Sequence, residues 1–140
     1  MSEVVKLRYD VIPGDFIKAG EASSDVKNKL MNMGISSDII RKTAIAMYEG
    51  EINMVIHSLG GYAEIRIYPS EINILLVDNG PGIDNVEQAM SAGYTTAPDD
   101  IRELGFGAGM GFPNMKKYAD EIIVESQPGI GTKVKMKVII

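Results

Sequence analysis

Two glycine-rich turns constrain this chain more than any other feature. The first, "VDNGPGI" at residues 77–83, closes the apolar run "INILLV"; the second, "GFGAGMGF", occupies residues 105–112. Asn-Gly after alternating hydrophobics is ordinarily a hairpin signal. Here the next segment, "IDNVEQAMSAG", is spaced for a short helix over 84–92, so the strand at 72–78 has no immediate antiparallel partner beyond its turn. A strand that ends on glycines without folding back has another use for its end.

Length and charge narrow that use. At 140 residues the chain is expected to form one domain spanning 1–140, large enough to bury a core unaided. It is 45% hydrophobic and so globular. It has no cysteine, which excludes disulfides, thiol catalysis and cysteine-ligated metals. The N-terminal "MSEVVKLRYD" lacks the apolar core of a signal peptide, and no apolar run approaches membrane-spanning length, so a cytoplasmic location is expected. A net charge of −5 argues against nucleic acid or an anionic membrane as a direct partner, because counterion release needs a basic face. Any acidic ligand must be held locally.

"VVKLRYDVI" reads as an opening strand closed by Pro13-Gly14. Phe16, Ala19, Val26, Leu30 and Met33 are spaced for a helix from 15 to about 34, with "MGI" as its stop. Ser36, Ser37 or Asp38 can cap a second helix reaching about Ser58, ended by Gly60-Gly61. "YAEIRIY" and "INILLVD" are strands joined at Pro69-Ser70; "NMKKYAD" suits a helix, and "EIIVESQ" and "TKVKMKVII" form a terminal hairpin about "PGIG". The order β-α-α-β-β-α-(loop)-α-β-β predicts an α+β two-layer sandwich, with helices on one face of a mixed β-sheet.

The second helix combines packing with chemistry. Ile45, Tyr48, Ile52, Val55 and Ile56 form an apolar stripe, and Glu49, Asn53 and His57 fall within roughly 80° along its flank. Any one of these is an ordinary boundary residue. A Glu and an Asn in register beside a glycine-turn pocket offer more: an amide oxygen can complete the shell of a Mg²⁺ already held by phosphates, and a carboxylate one turn earlier can deprotonate a hydroxyl. Gly50, inside the same helix, costs about 1 kcal/mol against Ala and has no sequence-level account beyond close packing. His57 is the only histidine and is expected to be structural or supporting; the nine methionines are expected to fill the core or offer adaptable contact surface.

"EGEIN", "DNGPG" and "GAGMGF" resemble the N box and the two glycine boxes of the gyrase, heat-shock chaperone, histidine-kinase and MutL ATPase superfamily, and the pattern "INMVIH…DNGPGI…GYTT…IR…GMGF…GIGT" looks most like its bacterial anti-sigma-factor serine/threonine kinases. The resemblance covers nearly the whole chain and implies a Bergerat-type fold that binds ATP and Mg²⁺. It implies that Asp78 accepts a hydrogen bond from the adenine amino group, that Thr132 supports that carboxylate directly or through water, and that Gly80, Gly82 and Ile83 wrap the base. The glycines can turn sharply and lie close to a ligand. Gly105, Gly107, Ala108, Gly109, Met110 and Gly111 would present helix-terminal amides to the triphosphate, so anion binding needs no basic surface. Residues 94–108 resemble the family's mobile ATP lid, longer here by "ELGFGA", and Thr95, Thr96 and Arg102 resemble lid positions that approach the phosphates. Asn53 would ligate Mg²⁺ and Glu49 would be the catalytic base.

The implied activity is transfer of the γ-phosphate to a serine of a protein partner, an anti-sigma-factor antagonist, with a sigma factor or another regulator bound in the nucleotide state. Two alternatives stay open: a non-catalytic, ATP-gated binding module, and a detached histidine-kinase catalytic domain, which would lack its phosphoacceptor helix here. The oligomeric state is also open, a homodimer among the options.

Overall fold

The computed structural model describes residues 5–15, 17–57, 60–80 and 111–140. Its elements are β1 (Val5–Val11), α1 (Glu21–Asn32), α2 (Ser37–His57), β2 (Gly61–Ile67), β3 (Glu71–Asp78), α3 (Gly111–Tyr118), β4 (Glu121–Gln127) and β5 (Gly131–Ile139). The helix expected over 84–92 and the lid over 94–108 lie outside the described residues.

The five strands are ordered β1-β2-β3-β5-β4, and alternation along them sends Ile65, Ile67, Ile72, Ile74, Val134, Met136 and Val138 into the core. The two-layer α+β arrangement is as expected. The strand directions differ: every pairing among the described residues is antiparallel, not mixed. β3 and β4 do run the same way, but β5 lies between them and bonds to both, so the parallel relation never becomes a hydrogen-bonded pair. The absence of a hairpin after β3 is borne out, since β3 pairs with β2 before it and with the C-terminal β5.

α1 starts later than the sequence spacing suggests, at Glu21 and not at 15. Gly20 adopts a left-handed φ of 95°, which interrupts any helix entering from the Ile17–Lys18 turn, and it has no side chain to cap the helix that follows. The cap comes from elsewhere. The buried carboxylate of Glu51, in the middle of α2, accepts from the amides of Gly20 (3.0 Å), Ala22 (3.3 Å) and Ser23 (3.2 Å) and from the Ser23 hydroxyl (2.9 Å). It satisfies donors that a helix N-terminus otherwise leaves unpaired. The C-terminal stop at "MGI" is as expected: Ile35 donates to Leu30 O at 3.2 Å and Gly34 to Met31 O at 3.1 Å, a Schellman closure. The Tyr9 hydroxyl bonds the Asp25 carboxylate and ties β1 to α1.

α2 buries more of its circumference than one stripe. Its deepest residues are Thr43, Ala46 and Met47, followed by Met54, Val55, Glu51, Ile52 and Ile40, whereas Tyr48 of the expected stripe is 39% exposed. A helix packed against the sheet beneath and flanked by α1 and α3 is enclosed on three sides, so a single apolar stripe does not mark its inner face. Gly50 now has an account. A Cβ there would overlap Leu76 Cδ1 of β3 and sit 3.4 Å from Met115 Sδ of α3, so the three elements meet at a spacing where any larger residue would force the Leu76 side chain to move.

Candidate functional site

β3 ends at Asp78 in the middle of the sheet, where Gly61 of β2 and Thr132 of β5 are its paired neighbours. Both approaches are close. A Cβ on Gly61 would come within 2.9 Å of Asp78 Cα, and one on Gly131, whose φ is +148°, would overlap the Asp78 carbonyl oxygen. Gly80 turns the chain with φ +131° and donates its amide to Asp78 Oδ1 at 3.0 Å; the Thr132 amide donates to the same oxygen at 3.1 Å. Asp78 Oδ2 accepts no hydrogen bond among the described residues. Burial pushes the Asp78 carboxyl above the ordinary range, and the two amide bonds oppose that rise.

Thr132 thus meets Asp78 through its main chain. Its buried hydroxyl pairs with Ser126 Oγ of β4 at 2.8 Å. The hydrogen bond joins the last two strands beside the Asp78 turn.

Above this end of β3 lies the middle of α2. The contact of Gly50 with Leu76 and the approach of Met54 Cε to within 2.8 Å of a Cβ on Gly61 fix that placement. Glu49 and Asn53, one turn apart on α2, are both half-buried, which matches their expected flank position. Glu49 Oε1 accepts from Asn114 Nδ2 of α3 at 3.2 Å. Burial raises the Glu49 carboxyl, and the Asn114 bond lowers it by a smaller amount. No hydrogen bond engages the Asn53 side chain among the described residues. Gly111 opens α3, and Pro113 sits in its first turn, where a missing N–H costs no helical bond.

The structure therefore brings Asp78, Gly80 and Thr132 together, and places Glu49 and Asn53 on the helix that covers that strand end. Gly82, Ile83, Thr95, Thr96, Arg102, Gly105, Gly107, Ala108, Gly109 and Met110 lie outside the described residues, and His57 belongs to α2 without a described side chain. Sequence reasoning missed Glu51 and Asn114. A carboxylate two residues from Glu49 in "EGEIN" carried a weak signal for the first; "PNMKKY" carried none for the second.

A β-sheet with helices on one face, an acidic residue closing the central strand on a glycine turn, and a Glu and Asn one turn apart on the covering helix form the arrangement expected of the ATPase superfamily that the sequence resembles. The chain belongs to the family described as histidine kinase-, DNA gyrase B-, and HSP90-like ATPase, which matches residues 44–139. Its relatives include anti-sigma F factors. That of Clostridium beijerinckii is 38% identical over 109 residues, 71% of each chain. That of Clostridium acetobutylicum is 41% identical over 98 residues, covering 66% of this chain and 65% of its own length. Among solved structures, the mycobacterial sensor histidine kinase MprB superposes with a TM-score of 0.54 at 16% identity, over 96% of this chain and 97% of that one. A chain of the SiaB-SiaC complex from Pseudomonas aeruginosa gives 0.56 at 11%, over 99% and 91%. At those identities the likeness is one of fold. No helix among the described residues is long and apolar enough to cross a membrane.

Proposed function

We propose that this chain is an ATP- and Mg²⁺-dependent serine/threonine protein kinase of the anti-sigma-factor type, working as one unit over residues 1–140 with its lid at 94–108. The observation that carries the reading is Glu49: a half-buried carboxylate with a raised pKa, one turn before Asn53, on the helix above Asp78. A binding pocket needs an acceptor for adenine, which Asp78 Oδ2 offers. It does not need a second, partly desolvated carboxylate on the covering helix. A base does, because a raised pKa strengthens proton acceptance near neutral pH.

In the proposed reaction the serine hydroxyl oxygen of the partner forms a bond to the γ-phosphorus of ATP. The bond from that phosphorus to the β,γ-bridging oxygen breaks, ADP departs with the electron pair, and the hydroxyl proton passes to Glu49 Oε2. Mg²⁺ would neutralise phosphate charge, and the half-buried Asn53 amide, which no described residue engages, suits it as a protein ligand. Among the described residues no three His, Cys, Asp or Glu side chains gather into a metal cage, so phosphates would supply most of the shell. The anti-sigma F factor relatives, by their name, support a sigma factor as a partner; the reading adds a small regulatory protein as substrate, a cytoplasmic location and no direct contact with nucleic acid or membrane.

Glu49→Gln tests the reading. It should keep ATP affinity within a few-fold while γ-phosphate transfer to the co-purified partner falls by on the order of 10²-fold or more. Labelled phosphate transfer under single-turnover conditions, beside a binding titration, measures both. Wild-type transfer by the variant removes Glu49 as the base; no transfer by the wild type with its true partner favours an ATP-gated binding module.

A further inference from the structure

Asn114 stands in the first turn of α3, the helix that Gly111 opens, and its amide crosses to Glu49 on α2. The neighbouring residue explains how it reaches. Met115 is fully buried, and its sulfur lies 3.4 Å from where a side chain on Gly50 would begin. The close approach at Gly50 therefore seats α3 against α2 at residues 49 and 50 together. The pairing is chemically one-way. An ionised carboxylate only accepts, so the amide must turn its NH₂ toward Glu49 and its carbonyl away. Oε1 is the oxygen used, at 3.2 Å, and Oε2 accepts no hydrogen bond among the described residues.

We propose that Asn114 is a positioning residue for Glu49: by donating to Oε1 it holds the carboxylate in one orientation and leaves Oε2 as the oxygen that receives the proton of the incoming serine. The inference rests on the reading of Glu49 as the base. A carboxylate on a helix has several rotamers open to it, and fixing one in advance removes a reorganisation step from the barrier. The bond also sets the basicity of the group. Burial raises the Glu49 carboxyl, and among the described residues the Asn114 amide opposes that rise; Tyr48, the preceding residue of α2, is itself raised, first by burial and then by the charges of Glu49 and Glu51. An apolar side chain at 114 would keep α3 packed while giving up both effects.

The test uses the full chain with Asn114→Leu and Asn114→Gln, and Glu49→Gln as reference. Asn114→Leu should lower the single-turnover transfer rate by about tenfold while the Kd for ATP and the KM for the partner stay within about twofold. Asn114→Gln, which restores a donor, should recover a substantial part of the rate. In the Glu49→Gln background, Asn114→Leu should have no further effect on transfer, because the group it positions is already gone. Independently of turnover, ¹³C NMR of the Glu49 carboxyl should show its titration midpoint move up in Asn114→Leu, as the bond that lowers it is lost. Wild-type transfer and an unmoved Glu49 titration in Asn114→Leu overturn the proposal. So does a loss of rate matched by an equal loss of ATP affinity with the titration unmoved, which marks a packing role. If Glu49→Gln itself transfers at the wild-type rate, the base assignment fails and the catalytic half of this inference fails with it. That result differs from an inactive Glu49→Gln beside a neutral Asn114→Leu, which refutes Asn114 alone.

Discussion

Asp78 and Thr132 face each other across β3 and β5, and the carboxylate of the first is held by the main chain of the second, with the Thr132 amide 3.1 Å from Oδ1. An amide oxygen at position 78 can accept the same two backbone bonds. Asp78→Asn should therefore fold. It should bind adenine nucleotides more weakly, by about tenfold or more, because the NH₂ in place of Oδ2 presents a donor to a donor. Calorimetry reads this directly, and equal affinity would remove Asp78 from the site.

The same substitution has a pH signature. The folded-state pKa of Asp78 is raised by burial, so its contribution to stability is full below the ordinary carboxylate range and is lost as pH rises through the raised value. Asp78→Asn lacks that loss. Its melting temperature should match the wild type at acidic pH and equal or exceed it at neutral pH, measured by thermal denaturation from about pH 4 to 7. A melting temperature that falls further below the wild type as pH rises would contradict the sign.

Asn53→Ala should reduce the Mg²⁺-dependent part of ATP affinity more than the part that remains in chelator. Titrations with and without the metal separate the two. Equal losses would make Asn53 a structural residue of α2.

Gly50 looks in the sequence like a fault that alanine would repair for a gain of about 1 kcal/mol. The overlap of a Cβ with Leu76 reverses the expectation. Gly50→Ala should destabilise by about 1 to 3 kcal/mol in urea denaturation, and Leu76→Val should recover part of the loss in the double variant. Additive losses would show that the two residues do not compete for the same space.

Glu51 and Glu49 are two residues apart and should behave oppositely. Glu51→Ala strips the acceptors from Gly20, Ala22 and Ser23 and should cost about 2 to 4 kcal/mol of folding stability, while Glu49→Ala should cost under about 1 kcal/mol. Chemical denaturation of both variants settles the contrast.

The parts of this arrangement that the sequence made legible are those governed by local pattern. The strand ending at Asp78, the turn at Gly80, the stop after Met33 and the terminal hairpin each follow from residues a few positions apart. What was not legible depends on residues far apart in the chain. The start of α1 is set by a carboxylate thirty residues downstream, and its apolar spacing continues upstream as though Gly20 were helical. The inner face of α2 is decided by three neighbours at once, which blurs the stripe that places Ile45 and Tyr48 inward. The Asn114 bond to Glu49 spans 65 positions and leaves no periodic trace. Strand direction in the sheet depended on where the C-terminal hairpin inserted, a matter of topology that element order alone does not decide.

The cap that Glu51 gives to α1 bears on the order in which this chain can assemble. α1 has 12 residues and no side-chain cap of its own, below the length at which isolated helices persist in water. Its first turn has the amides of Gly20, Ala22 and Ser23 satisfied only with α2 in place to offer the Glu51 carboxylate. The helix that carries Glu49 and Asn53 is thus also the template on which the preceding one completes itself, and a substitution meant to retune the chemistry of α2 will be felt in whether its neighbour finishes folding.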